Sequence, residues 1–132
     1  MKTKTNHVFK DIPDCIDDSA APWTELVEED YHVKVFRDLY PCTSGHLLFV
    51  PKYNTIGVLM DAMEDAVRHG QTQVERGEWN GFNIGLNYGA AAGQTVAWPH
   101  VHLIPRRTGD VEDPVGGVRN TIPGKGNYKK WK

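Results

Sequence analysis

Hydrophobic positions along this chain change period several times, and each change marks an element. Leu26-Val27 reads as a short strand, with Glu29-Asp30 as its turn. Between Tyr31 and Leu39, Val33 and Val35 alternate with His32 and Lys34, the period of two expected of a half-buried strand. After a loop over Pro41 to Gly45, His46 to Val50 forms a compact apolar strand stopped by Pro51. From Thr55 to about Arg76 the apolar set Ile56, Leu59, Met60, Met63, Ala66, Val67 and Val74 recurs at helical spacing, with Asn54 or Thr55 placed to cap the start. Met60 and Met63 read as core fillers of that helix.

Two-fold alternation returns over Gly81 to Asn87, followed by a small-residue loop from Tyr88 to Gly93. Val96 to Ile104 reads as the last strand. Pro99 interrupts it, and a nitrogen without hydrogen cannot serve a central ladder, so an edge position or a local bulge is expected there. Residues 1–24 are polar, carry Pro13 and Pro22, and read as a lead-in with little regular structure. Beyond Arg106 glycine and proline recur, and the chain ends in Lys129, Lys130 and Lys132 around Trp131. The pattern predicts an α+β domain over 25–110, mainly antiparallel strands around one long helix, followed by a Gly/Pro-rich extension over 111–132.

Composition narrows the field without naming a chemistry. At 132 residues the chain makes one domain able to bury a core without disulfide staples. A net charge of −2 gives no global attraction to nucleic acid or membrane. Cys15 and Cys42 form no metal-spaced pair and read as free thiols of a reducing, cytoplasmic environment. No apolar run approaches the ~20 residues of a membrane span, and the first residues lack the apolar core of a secretion signal.

The chemistry concentrates between Gly93 and Asp110, GQTVAWPHVHLIPRRTGD. Alternate strand residues share a face, so His100 and His102 should project from one surface beside the polar Gly93-Gln94-Thr95 loop. An imidazole with a pKa near ~6.5 is mostly neutral at physiological pH and can act as nucleophile or base. Two other readings stand beside this one. The pair could be half-exposed sheet residues, or metal ligands, although a catalytic zinc needs a third protein ligand. His46 is the best distant candidate for that place.

The same stretch resembles the signature of the HIT (histidine triad) superfamily of nucleotide hydrolases and transferases. There a Gly-Gln-Ser/Thr-Val run leads into three histidines separated by apolar residues. Aligned without gaps, His100 falls on the middle histidine, the family's nucleophile, and His102 on the last; Trp98 replaces the first. FRDLYPCTSGHLLFVPK, from Phe36 to Lys52, is similar to a second family block. Asn87 lies at the family spacing, seven residues before Gln94. The resemblance implies a HIT-like fold with a sheet of about five strands, and a homodimer acting on a purine nucleotide.

It also implies roles. His100 would attack an α-phosphate to give a nucleotidyl-imidazole that water resolves, splitting one hard step into two. Its other ring nitrogen would donate a hydrogen bond, with a backbone carbonyl as the expected acceptor. His102 would stabilise charge on the phosphate or help the leaving group. Gln94, Thr95 and Asn87 would serve the phosphates, Asp38 the ribose hydroxyls, and His46 the pocket wall. Arg106 and Arg107 could bind outer phosphates or form a solvated basic face, and Lys125 is weighed with them.

Some relatives hold a structural zinc through an N-terminal Cys-x-x-Cys, a histidine after Pro-Lys and the first triad histidine. Here no such pair surrounds Cys15, Asn54 stands nearest the second position and Trp98 at the third. No zinc and no tightly bound cofactor are expected, although magnesium could accompany a substrate. Trp98 is expected to be a buried aromatic whose indole N–H needs a partner. The expected activity is hydrolysis of a dinucleoside polyphosphate such as diadenosine tetraphosphate. Adenosine phosphoramidate hydrolysis, a non-catalytic nucleotide sensor and a dimeric scaffold are the alternatives.

Overall fold

Alternation, one helical stretch and renewed alternation build a five-stranded sheet with a helix on one face. The computed structural model describes residues 7–16 and 23–131; half of the expected lead-in, Pro22 included, and Lys132 lie outside them. The strands are β1 (Leu26–Glu29), β2 (Val33–Arg37), β3 (Leu47–Pro51), β4 (Gly81–Gly85) and β5 (Val101–Arg106). They lie in the order β1-β2-β3-β5-β4, every neighbouring pair antiparallel. Among the described residues the one α-helix, α1 (Ile56–Glu75), connects β3 to β4 and is capped by Thr55, whose side chain accepts a hydrogen bond from the Val58 N–H.

Helix α1 lays Leu59, Ala62 and Ala66 on Val33, Val35, Leu47, Phe49, Val101 and Leu103 to form the main core. Gly70 lets the helix approach β4 closely: a Cβ there would lie 2.6 Å from the Phe82 ring. The other sheet face carries a second cluster of Phe36, Leu48, Val50 and Trp98, covered by Ile12, Ile16 and Trp23. β2 is therefore not the half-buried strand its alternation suggests. Val33, Lys34, Val35 and Phe36 are all buried, because the segment ahead of β1 roofs the face that would otherwise meet water.

Asn54 holds that roof. It is fully buried; its Oδ1 accepts from the Val8 and Phe9 N–H groups at 3.1 and 3.0 Å, and its Nδ2 donates to the Phe9 carbonyl at 2.7 Å. Three other expectations need correction. β5 starts at Val101, so His100 precedes the strand. β5 also lies between β3 and β4, so Pro99 marks neither an edge nor a bulge within it but the entry to a central strand. Met60 is half exposed, because it lies off the stripe that Leu59, Ala62 and Ala66 turn to the sheet; Met63 does pack against the core.

The C-terminal extension returns to the face opposite α1. Its 3₁₀ turn over Gly117–Thr121 packs near β4, where a Cβ on Gly117 would lie 3.4 Å from Asn83 Nδ2. Lead-in and extension thus cover the two ends of one sheet face, with the histidines between them.

Candidate active site

β5 alternates strictly, Val101, Leu103 and Pro105 facing the core and His102, Ile104 and Arg106 the opposite side. His102 stands opposite Leu48 on β3. His46, just ahead of β3, shares the Leu48 face. Although His100 precedes the strand, its ring centroid lies 5.1 Å from that of His102 at a steep angle. The expectation that the two rings share one surface holds, with a bend supplying what strand alternation was expected to supply.

Hydrogen bonds fix which nitrogen of each ring carries a proton. His100 Nδ1 lies 2.8 Å from the Trp98 carbonyl. A carbonyl only accepts, so Nδ1 is the N–H and Nε2 keeps its lone pair. His46 Nδ1 accepts from the Cys42 N–H at 3.2 Å, which places the His46 proton on Nε2. That nitrogen lies 2.9 Å from His102 Nδ1 and 3.5 Å from Asp38 Oδ2. His102 Nδ1 is thereby the acceptor, and its Nε2 carries the hydrogen. A backbone N–H, His46 and His102 form a chain that leaves a donor at its end, next to a ring that ends in an acceptor.

Burial keeps all three rings neutral. It lowers the His100 pKa, against the opposing pull of the Trp98 carbonyl and Asp38. It likewise lowers that of His46. His102 is pushed down to about 4, by burial first and then by His100 and His46, with Asp38 opposing. The resting site therefore pairs a neutral nucleophile with a neutral donor.

The cleft in front of these rings has a volume of about 340 Å³, within the range of small-molecule sites. Asp38, Asn87, Gln94, Thr95, His100 and His102 all line it. Trp23, Leu39, Tyr40 and Leu48 supply an apolar side. Asp38 Oδ1 accepts from the Tyr40 N–H at 2.8 Å, which holds the carboxylate at the cleft. Gln94, expected to serve the phosphates, lines the cleft with its side-chain amide engaged within its own loop. Its Oε1 accepts from the Gly89 N–H, and its Nε2 donates to the Val96 and Ala97 carbonyls. The side chain braces its own loop and so positions Thr95. Trp23, whose ring centroid lies 5.0 Å from that of His100, was missed in the sequence; its one visible signal was an aromatic residue standing in a polar lead-in.

Arg106 and Arg107 lie outside this cleft. Arg106 Nε and Nη2 donate to Asp110, and Nη1 to Asn83 Oδ1; Arg107 Nη1 donates to Thr43 Oγ1. Lys125 lies over the Trp131 ring.

The sequence model of the HIT domain matches residues 22–109. The chain belongs to the HIT family. The chain is 35% identical over 113 residues to the AP-4-A phosphorylase of Mycobacterium tuberculosis, a match covering 77% of this chain and 54% of that protein. It is 33% identical over 96 residues to the adenosine 5′-monophosphoramidase of Saccharomyces cerevisiae, covering 67% and 58%. The chain thus spans little more than half the length of these two relatives. A crystal structure of a zinc-bound histidine triad family protein from Mycobacterium smegmatis aligns with a TM-score of 0.62 at 31% identity, covering 70% of this chain and 71% of that one. The five-stranded antiparallel sheet with one helix is accordingly the HIT fold, and HIT proteins are nucleotide hydrolases and transferases.

The residues at the family's structural zinc positions do not suit that metal here. Trp98 is buried, with its indole Nε1 donating to the Pro51 carbonyl at 2.9 Å, and Asn54 is spent on the N-terminal segment. An indole N–H is a donor only and cannot ligate. Asp38, His46 and His102 form a different trio, with ligand atoms within 4.8 Å of one another. They could hold an ion, in place of the hydrogen bonds that now join them.

Proposed function

We propose that this HIT enzyme hydrolyses nucleotidyl bonds at the α-phosphate of purine nucleotide derivatives through a nucleotidyl-His100 intermediate. A dinucleoside polyphosphate such as diadenosine tetraphosphate is the preferred substrate class. One observation carries the reading: the Trp98 carbonyl accepts a hydrogen bond from the His100 Nδ1–H, so the lone pair of Nε2 is available in the cleft that also holds His102 and Thr95.

The residues then have definite tasks. The base lies against Trp23, Leu39, Tyr40 and Leu48, and the ribose hydroxyls donate to Asp38. Thr95 and Asn87 donate to the phosphate, with Gln94 holding the loop that presents Thr95. With substrate bound, the phosphate anion holds His102 in its protonated form; His100 Nε2 forms a bond to phosphorus as the bond from phosphorus to the leaving group breaks, and the leaving group takes a proton from the His102 imidazolium, which returns to neutral. Water then attacks phosphorus, the bond from phosphorus to Nε2 breaks, and His102 Nε2 recovers a proton from the water. A phosphate anion beside His102 favours its protonated form, so the donor is recharged within the site.

Phosphoramidate hydrolysis is the second reading. The identity to the yeast phosphoramidase supports it, and the steps are unchanged except that an amine departs. The protein works as a cytoplasmic homodimer without a tightly held metal, magnesium arriving with a polyphosphate substrate where one is used. The test is product analysis with a panel of diadenosine polyphosphates and adenosine phosphoramidates. AMP as a product from the polyphosphates supports the first reading, and turnover of the amidates alone selects the second. Binding without turnover of either contradicts both and leaves a nucleotide sensor.

A further inference from the structure

The loop ahead of Gln94 and Thr95 has little of its own to hold it. After Tyr88 it reads Gly89-Ala90-Ala91-Ala92-Gly93, with an exposed 3₁₀ turn over Ala90–Ala92 and φ of 93° and 86° at the two glycines. None of these residues carries a side chain larger than a methyl group, and the glycines leave the backbone freer than other residues would. Gln94 closes the loop on itself through Gly89, Val96 and Ala97, which shapes it without tying it to the sheet or the helix.

Tyr88 supplies a tie. Its ring stacks on Phe9, with centroids 4.6 Å apart and planes 18° from parallel. Phe9 is in turn fixed at both of its backbone groups. Asn54, fully buried and one residue ahead of the α1 cap, accepts from the Phe9 N–H and donates to the Phe9 carbonyl. The Phe9 side chain also packs against the main core. Neither Phe9 nor Tyr88 lines the nucleotide cleft, whereas Asn87 before Tyr88, and Gly93, Gln94 and Thr95 after it, all do.

From this arrangement we infer that Phe9 is a positioning residue for the phosphate site: stacked on Tyr88, it carries the anchorage of the α1 start to the loop that presents Asn87 and Thr95. The inference rests on the phosphate role proposed above for those two residues. Phe9 touches no substrate. It acts by holding the loop in one arrangement before the nucleotide arrives, so that less order has to be imposed on binding.

The test compares the wild-type protein with Phe9→Leu, which keeps apolar packing, Phe9→Tyr, which keeps the stack, and Tyr88→Ala, which removes the other, exposed ring. Amide hydrogen exchange at Gly89, Gly93 and Gln94 is followed without ligand. Calorimetry gives affinities for AMP and for adenosine, which lacks the phosphate. A stack of ordinary strength predicts that Phe9→Leu and Tyr88→Ala each speed loop exchange about fivefold and each cut the ratio of AMP to adenosine affinity about fivefold. Phe9→Tyr should stay near wild type, and the double variant should lose no more than either single one. If Phe9→Leu does not fold, Tyr88→Ala alone carries the test. A Phe9 that only fills the core would weaken both ligands alike, and Tyr88→Ala would not reproduce the effect; that result, or unchanged loop exchange, would overturn the positioning role. Faster loop exchange with an unchanged affinity ratio would refute the phosphate role of Asn87 and Thr95, and the inference with it.

Discussion

Acidification is the perturbation that this site is built to resist. His100 must be neutral to attack, and burial lowers its pKa. An unperturbed imidazole of pKa ~6.5 would be only ~10% neutral at pH 5.5. The buried ring therefore keeps more than that fraction of its plateau kcat/KM at pH 5.5. The assay uses adenosine 5′-(p-nitrophenyl phosphate), a diester without a phosphate group titrating in this range, so the profile belongs to the protein. A fall to ~10% or less at pH 5.5 would refute the argument from burial. Stability carries the same sign. Below ~6.5 the unfolded chain takes up protons that the folded chain refuses, so stability is lost as the pH falls toward the folded-state value, about 4 for His102. At full strength that depression is worth ~3 kcal/mol; solvent screening at a partly exposed ring reduces it to ~1–2 kcal/mol. Asp65 works in the opposite direction, because burial and then Asp30 raise its pKa to about 6. Urea unfolding at pH 7.5 and 5.0 is therefore compared in an Asp65→Asn background, where stability unchanged or increased at the lower pH would contradict the account.

Asp38→Asn should weaken binding of ribonucleotides by ~1.5–3 kcal/mol, the scale of hydrogen bonds to a charged group, and leave 2′,3′-dideoxy analogues almost unaffected; equal losses would remove Asp38 from the ribose. Asn54→Ala should cost ~3 kcal/mol in urea unfolding, from three buried hydrogen bonds of ~1 kcal/mol each, and a cost below ~1 kcal/mol would show that the N-terminal segment is not pinned there. Gly70→Ala forces a Cβ to within 2.6 Å of the Phe82 ring. Its expected overpacking cost of ~1–3 kcal/mol exceeds the ~1 kcal/mol gain in helix propensity, so a higher melting temperature would contradict the close packing of α1 on β4.

Much of this was legible in the sequence because it is local. Strand alternation, the helical stripe and the Pro51 stop follow from neighbouring residues, and the motif around His100 and His102 carries its chemistry in contiguous chain. What stayed hidden depends on long-range packing. Nothing near Val33 announces that Ile12, Ile16 and Trp23 cover the second face of the sheet, so β2 read as half exposed. Pro99 suggested an edge, yet β5 is central because β4 pairs on its far side. The expected backbone acceptor for His100 exists, but only the bend before β5 identifies it as Trp98. His46 was expected on the pocket wall, but it stands behind His102 and does not line the nucleotide cleft; its place in a hydrogen-bond chain depends on β3 lying beside β5. Gln94 read as a ligand donor because sequence cannot show that both ends of an amide are already used.

The central claim is that His100 forms a covalent bond to the α-phosphorus. It is tested most directly by rapid quenching of the protein with a substrate labelled in its adenylyl half, followed by peptide mapping. The account predicts an acid-labile, base-stable adenylyl group on His100, absent in His100→Ala. Full turnover with no label at any quench time, together with inversion of configuration at a chiral α-phosphorothioate, would show that water attacks directly and would contradict it.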